Sequence, residues 1–88
     1  MKIEKLTSLI VKSVPYSDQL EFLEFSDRGD QGCSIVFNWR SSSFIVSLHK
    51  GVSGFCVGEY QSGCSVGTDA ALILKSLLSA KHICEESF

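Results

Sequence analysis

The chain is 88 residues long, with 44% hydrophobic and 20% charged residues and a formal net charge of -2. That length sets a single domain, 1-88, and leaves no room for two units with a catalytic cleft between them. The apolar fraction excludes a disordered chain, and the acidic balance argues against a general binder of nucleic acid or anionic membrane, which displaces counterions with basic patches.

From Lys2 to Val14 the residues Ile3, Leu6, Leu9, Ile10 and Val14 recur at three- and four-residue steps, with Lys2, Glu4, Lys5, Ser8 and Lys12 between them. That spacing predicts an amphipathic helix, and Pro15 ends it by pushing Val14 out of the α region. Between Ser17 and Ser26 two signals compete: Asp18 and Glu21 suit a helix capping box, whereas Phe22 and Phe25 favour a strand. The strand is the reading taken for 18-25. Simple alternation puts Leu20, Phe22 and Glu24 on one face and Glu21, Leu23 and Phe25 on the other. Neither face is cleanly apolar, which an edge strand tolerates best.

Asp27 to Gly32 is turn chemistry. It leads to a strand from Cys33 to Trp39 with Cys33, Ile35, Phe37 and Trp39 on one face. Arg40 to Ser43 links it to a strand from Phe44 to His49, and Lys50 to Gly54 turns into another from Phe55 to Tyr60. Short links between consecutive strands mean antiparallel pairing, since parallel crossovers need a dozen or more residues. Thr68 is a good N-cap for a last helix running to about His82, with Ala70, Ala71, Ile73, Leu74, Leu77 and Leu78 as a wide apolar surface expected to be mostly covered. Residues 83-88 are expected to fray. The predicted fold is α+β, in the order α-β-β-β-β-α, an antiparallel meander sheet with helices packed on one face; helices straddling the sheet are the alternative. Val36 and Ile45 put aliphatic side chains on the second sheet face. That surplus points to a partner surface, most economically a symmetric homodimer.

Chemistry would have to lie in Gln61 to Thr68. Gly63-Cys64-Ser65-Val66-Gly67 matches a nucleophile elbow, and Gly58 to Ser65 matches a phosphate-binding loop except that Cys64 stands where lysine is needed. The elbow belongs to much larger folds, and its acid and histidine partners fail here: Asp69 and His82 follow Ser65, but at opposite ends of one helix, roughly 20 Å apart. The turn therefore reads as a strand-to-helix connector, with no catalytic residue assigned. His82 and Cys84 are the only close pair of metal-ligand types, so neither a metal nor a cofactor is expected. The cysteines, Cys33, Cys56, Cys64 and Cys84, are irregularly spaced and read as reduced thiols, with Cys33 and Cys56 as small buried hydrophobes in strands. Met1 to Lys5 opens an interrupted helical pattern with no apolar leader, and the expected location is the cytoplasm.

The second distinctive feature is acidic. Asp18, Glu21, Glu24, Asp27 and Asp30 recur along the first strand and its turn, relieved only by Arg28. An edge strand so charged can steer and pair with a basic partner, or can keep the edge from aggregating. The leading expectation is a non-enzymatic module that covers a partner protein, as inhibitors, immunity proteins and adaptors do, in a host, phage or toxin-antitoxin setting. Two alternatives stand beside it. One is a thiol-dependent enzyme or redox sensor using Cys64, and the other a single-stranded nucleic-acid binder using Phe37, Trp39 and Phe44 on the sheet.

Overall fold

A computed structural model describes residues 3–52, 54 and 56–86, with the backbone alone over 81–86. Helix α1 spans Ile3–Ser13, and its start at Lys2 lies outside the described residues. A 3₁₀ turn at Ser17–Gln19 leads to strand β1, Glu21–Asp27, and a second 3₁₀ turn at Gly29–Gln31 leads to β2, Gly32–Trp39. Then come β3, Ser42–His49; β4, Cys56–Gln61; β5, Cys64–Val66; and helix α2, Asp69–Glu86. The strands form one antiparallel sheet in the order β1-β2-β3-β4-β5. The α+β meander is therefore as expected, with one strand more. Phe55, read as the start of β4, lies outside the described residues.

The extra strand β5 occupies the segment read as a strand-to-helix connector. Ser62 and Gly63 take left-handed φ values of 53° and 79°, which is the twist that closes a two-residue hairpin. Glu59, Tyr60 and Gln61 then pair with Val66, Ser65 and Cys64. Helix α2 continues to Glu86, one turn beyond the expected end at His82 and through most of the segment expected to fray.

Register fixes the layers. Cys33, Ile35 and Phe37 of β2 lie opposite Leu48, Val46 and Phe44 of β3. This face forms one core with Leu6, Leu9 and Ile10 of α1 and Leu74 and Leu78 of α2. Both helices thus share one side of the sheet, and the straddling arrangement does not occur. The other face carries Ser34, Ser43, Ser47 and Asn38 around Val36 and Ile45. Val36 is only 6% exposed and Ile45 is half-buried. The aliphatic surplus expected on this face is therefore small, and the ground for a symmetric dimer built on it goes with it. On α2 the expected apolar surface is mostly covered, with Ala71, Leu74 and Leu78 buried and Ala70 and Leu77 packed against the core, whereas Leu72 and Ile73 are 63% and 60% exposed.

Strand β1 departs from simple alternation. Phe22 faces Phe37 and Glu24 faces Val36, which leaves Leu23 as an extra residue in a β-bulge. The insertion reverses the faces beyond it: Phe25, paired with Ile35, joins Phe22 on the helix side, and Glu24 joins Glu21 on the open side. An aromatic row results. Trp39 to Phe44, Phe44 to Phe37, Phe37 to Phe22 and Phe22 to Phe25 have ring centroids 6.0, 6.0, 5.9 and 5.5 Å apart, all tilted. Each such pair adds about 0.5–1.5 kcal/mol beyond the area it buries.

Two turns set this register. At the start of β2, Gly32 has φ +129°, and a Cβ there would lie 2.0 Å from the Leu48 carbonyl oxygen. Glycine is required both by conformation and by space. Between β2 and β3, Arg40 and Ser41 hold φ values of 52° and 68° without being glycine, a conformation costing an L-residue roughly 1–2 kcal/mol. In urea unfolding, Gly32→Ala is expected to lose roughly 3 kcal/mol, and Gly51→Ala, with a positive φ but open space, about 1 kcal/mol. Ser41→Gly is expected to stabilise by about 1 kcal/mol.

Candidate partner-binding edge

The five acidic residues singled out from sequence lie on one margin of the molecule. Asp18 is in the 3₁₀ turn before β1; Glu21, Glu24 and Asp27 are in β1; Asp30 is in the turn after it. All are exposed. The bulge sorts the three strand residues, with Glu21 and Glu24 opposite Asn38 and Val36 on the open face, and Asp27 opposite Cys33 on the helix side. Asp27 also has a local task, its Oδ1 accepting the Gly29 backbone N–H at 2.9 Å and holding the turn.

Strand β1 closes one end of the sheet, so among the described residues one side of its seven-residue backbone ladder has no partner strand. The opposite margin, β5, has three residues. The long edge therefore carries both the charge and an apolar component. Phe25, the last ring of the aromatic row, is 52% exposed, and Leu23 at the bulge is half exposed. Sequence reasoning placed the carboxylates but missed Phe25, because alternation assigned it to the other face. Two phenylalanines three residues apart in a strand were the available signal for a bulge.

The turn that matched two catalytic motifs has neither geometry. Ser65 lies inside β5 and not on a sharp bend into a helix, and its Oγ packs over Gly58, where a Cβ would lie 1.9 Å away. Gly58 is buried within β4 opposite Ile45, and all of Gly58 to Ser65 except the turn at Ser62 and Gly63 is strand, so the segment cannot wrap a phosphate. Thr68 does cap α2, its Oγ1 accepting the Ala71 N–H at 3.1 Å. Cys64 pairs with Gln61 at the Ser42 end of the sheet, whereas His49 ends β3 at the other, roughly 23 Å away along the strand.

The thiols divide by burial. Cys33 is buried beneath the helices, and that burial, reinforced by the negative charge of Asp27, pushes its thiol pKa up. Cys56 is exposed and not a core residue as its strand position suggested, and Cys64 is exposed as well. Among the described residues no cluster of three or more His, Cys, Asp or Glu is placed to hold a metal ion. No helix among them is long and apolar enough to cross a membrane.

The aromatics considered for stacking nucleic-acid bases are in the core. Phe37, Phe44 and Trp39 face the helices and are buried, so these three rings present no stacking platform. Trp39 is tied down further, its Nε1–H donating to the Pro15 carbonyl oxygen at 2.9 Å. At this end of the sheet the Arg40 guanidinium sits 5.1 Å from the Tyr16 ring centroid and 5.7 Å from that of Trp39. A groove of about 230 Å³ lies alongside, lined by Trp39, Arg40, Ser42, Phe44, Ala70 and Ile73.

No protein-family model, curated protein or solved structure matches the chain. Its functional reading rests on geometry alone. In a Cys84→Ser variant, titration with a thiol reagent should modify Cys56 and Cys64 in the native protein and Cys33 only on unfolding. Cys64 should react no faster than Cys56; a rate at least tenfold higher would return thiol chemistry to consideration.

Proposed function

We propose that this protein is a small non-enzymatic cytoplasmic binding module that covers the surface of a basic partner protein through its β1 edge. The observation that carries the reading is the coincidence of an open seven-residue ladder with Glu21, Glu24 and Asp27 along it and Asp18 and Asp30 flanking it. Unpaired strand edges are templates for another chain, and a single sign of charge raises encounter rates with the opposite sign while repelling like-charged surfaces. The size and the lack of an assembled catalytic group suit an inhibitor, immunity protein or adaptor, which acts by occupying a surface.

The same charges speak against a second copy at this edge. Antiparallel pairing of two β1 strands about Glu24 would set Glu24 against Glu24 and Glu21 against Asp27, like charges directly opposite one another. The combined substitution Glu21→Lys, Glu24→Lys and Asp27→Lys should remove the basic partner from affinity capture out of the native cell, as read by mass spectrometry. Capture by the unaltered protein should itself weaken as salt rises. Retention of the same partner by the triple variant would sink the reading.

A further inference from the structure

Resting on that reading, we infer that the β1 edge receives an extended segment of alternating chemistry, with Lys or Arg toward Glu21 and Glu24 on the open face and an apolar side chain against Phe25 on the helix side. The bulge at Leu23 is what creates this demand. By simple alternation Phe25 would share a face with Glu21, and an added strand would meet mixed chemistry on both sides. With the bulge, Glu21 and Glu24 stand together on the open side, while Phe22 and Phe25 stand together on the other. A strand laid beside β1 places its own successive side chains on opposite faces, so one set meets Glu21 and Glu24 and the other meets the two rings, with Asp27 beyond Phe25 on that side.

The aromatic row states what the apolar set must do. Its rings are buried at Phe44 and Phe37, packed onto Phe22, and then end at Phe25, which has Phe22 beside it at 5.5 Å and half its surface in water. The row is thus one position short of a cover. A β-branched or aromatic side chain on the neighbouring strand would supply it, since directly opposed pairs of this kind stabilise a sheet. The backbone ladder adds hydrogen bonds that do not depend on side chains, and the carboxylates confine the choice to basic sequences. The partner is therefore a protein segment about as long as β1, extended when bound, basic on one face and apolar on the other.

The experiment uses two end-capped peptides of one composition, the alternating Lys-Val-Lys-Phe-Lys-Val-Lys and the blocked Lys-Lys-Lys-Lys-Val-Phe-Val, titrated into the full chain and followed by amide chemical shifts. The alternating peptide is expected to bind roughly tenfold more tightly, with the largest shifts along Glu21 to Asp27. Methylating alternate peptide nitrogens, so that they cannot donate to the ladder, should abolish the difference. Phe25→Ser should reduce affinity severalfold for the alternating peptide and leave the blocked one unchanged, with folding checked by the unfolding midpoint. Equal binding of the two peptides would overturn strand addition and leave charge-driven docking standing. If neither peptide binds, the strand pairing is overturned, and the partner-binding reading is then decided separately by the triple-lysine capture.

Discussion

Everything in this molecule hangs on a row of rings that crosses the sheet beneath its helices. Trp39, Phe44, Phe37, Phe22 and Phe25 come from three strands, and their contacts fix how those strands lie against one another. A one-residue slip in any of them would move its rings to the serine-rich face, where no helix covers them. Register is thus strongly specified at the centre, by Phe37 opposite Phe44 with Leu74 and Leu78 in the same core. The specification weakens toward β1, where the helical layer no longer buries the last ring and a bulge is tolerated.

How far this was legible in the sequence follows from the same physics. The first helix was plain because Leu6, Leu9 and Ile10 keep helical spacing and Pro15 forbids continuation. The central strands were plain because Cys33, Ile35, Phe37 and Trp39, and Phe44, Val46 and Leu48, recur at every second position. The bulge was not, because its cause is non-local. Nothing in Leu23 itself asks to be skipped; the demand comes from Phe37 and Ile35 on the next strand, each seeking an aromatic neighbour. Strand β5 was missed for a different reason. Ser62-Gly63 is a hairpin turn, but the glycine spacing around Cys64 resembles two loop motifs, and motif spacing conveys nothing about backbone direction.

The candidate surface was half visible in the same way. Charge is a property of composition, so Asp18, Glu21, Glu24, Asp27 and Asp30 could be picked out in sequence, and an edge position follows from their mixed faces. Phe25 could not be assigned, because its side of the sheet depends on the bulge. On α2, periodicity implied a covered surface through Ile73, but the covered stripe is Ala71, Leu74 and Leu78 with Ala70 and Leu77 beside them, and Ile73 stands in water. A single sheet layer covers only one side of a helix, so hydrophobicity beyond that stripe remains in water.

Protection of an edge and recognition by it are often set against each other, but here they call for the same residues. Carboxylates on β1 disfavour pairing of two copies about Glu24, since Glu24 would meet Glu24 and Glu21 would meet Asp27. Repulsion of that kind does not consume the ladder: the backbone groups stay unpaired, and Phe25 stays half uncovered. An edge closed by proline or by a covering loop would be safe from every strand; one closed by charge is safe only from strands of the same sign. The bulge adds a second asymmetry, because it puts Glu21 and Glu24 on the open face and Phe22 and Phe25 on the other, with Asp27 beyond them on the ring side. The charges that disfavour a like-charged strand at this edge are thus the same charges that would favour a basic one.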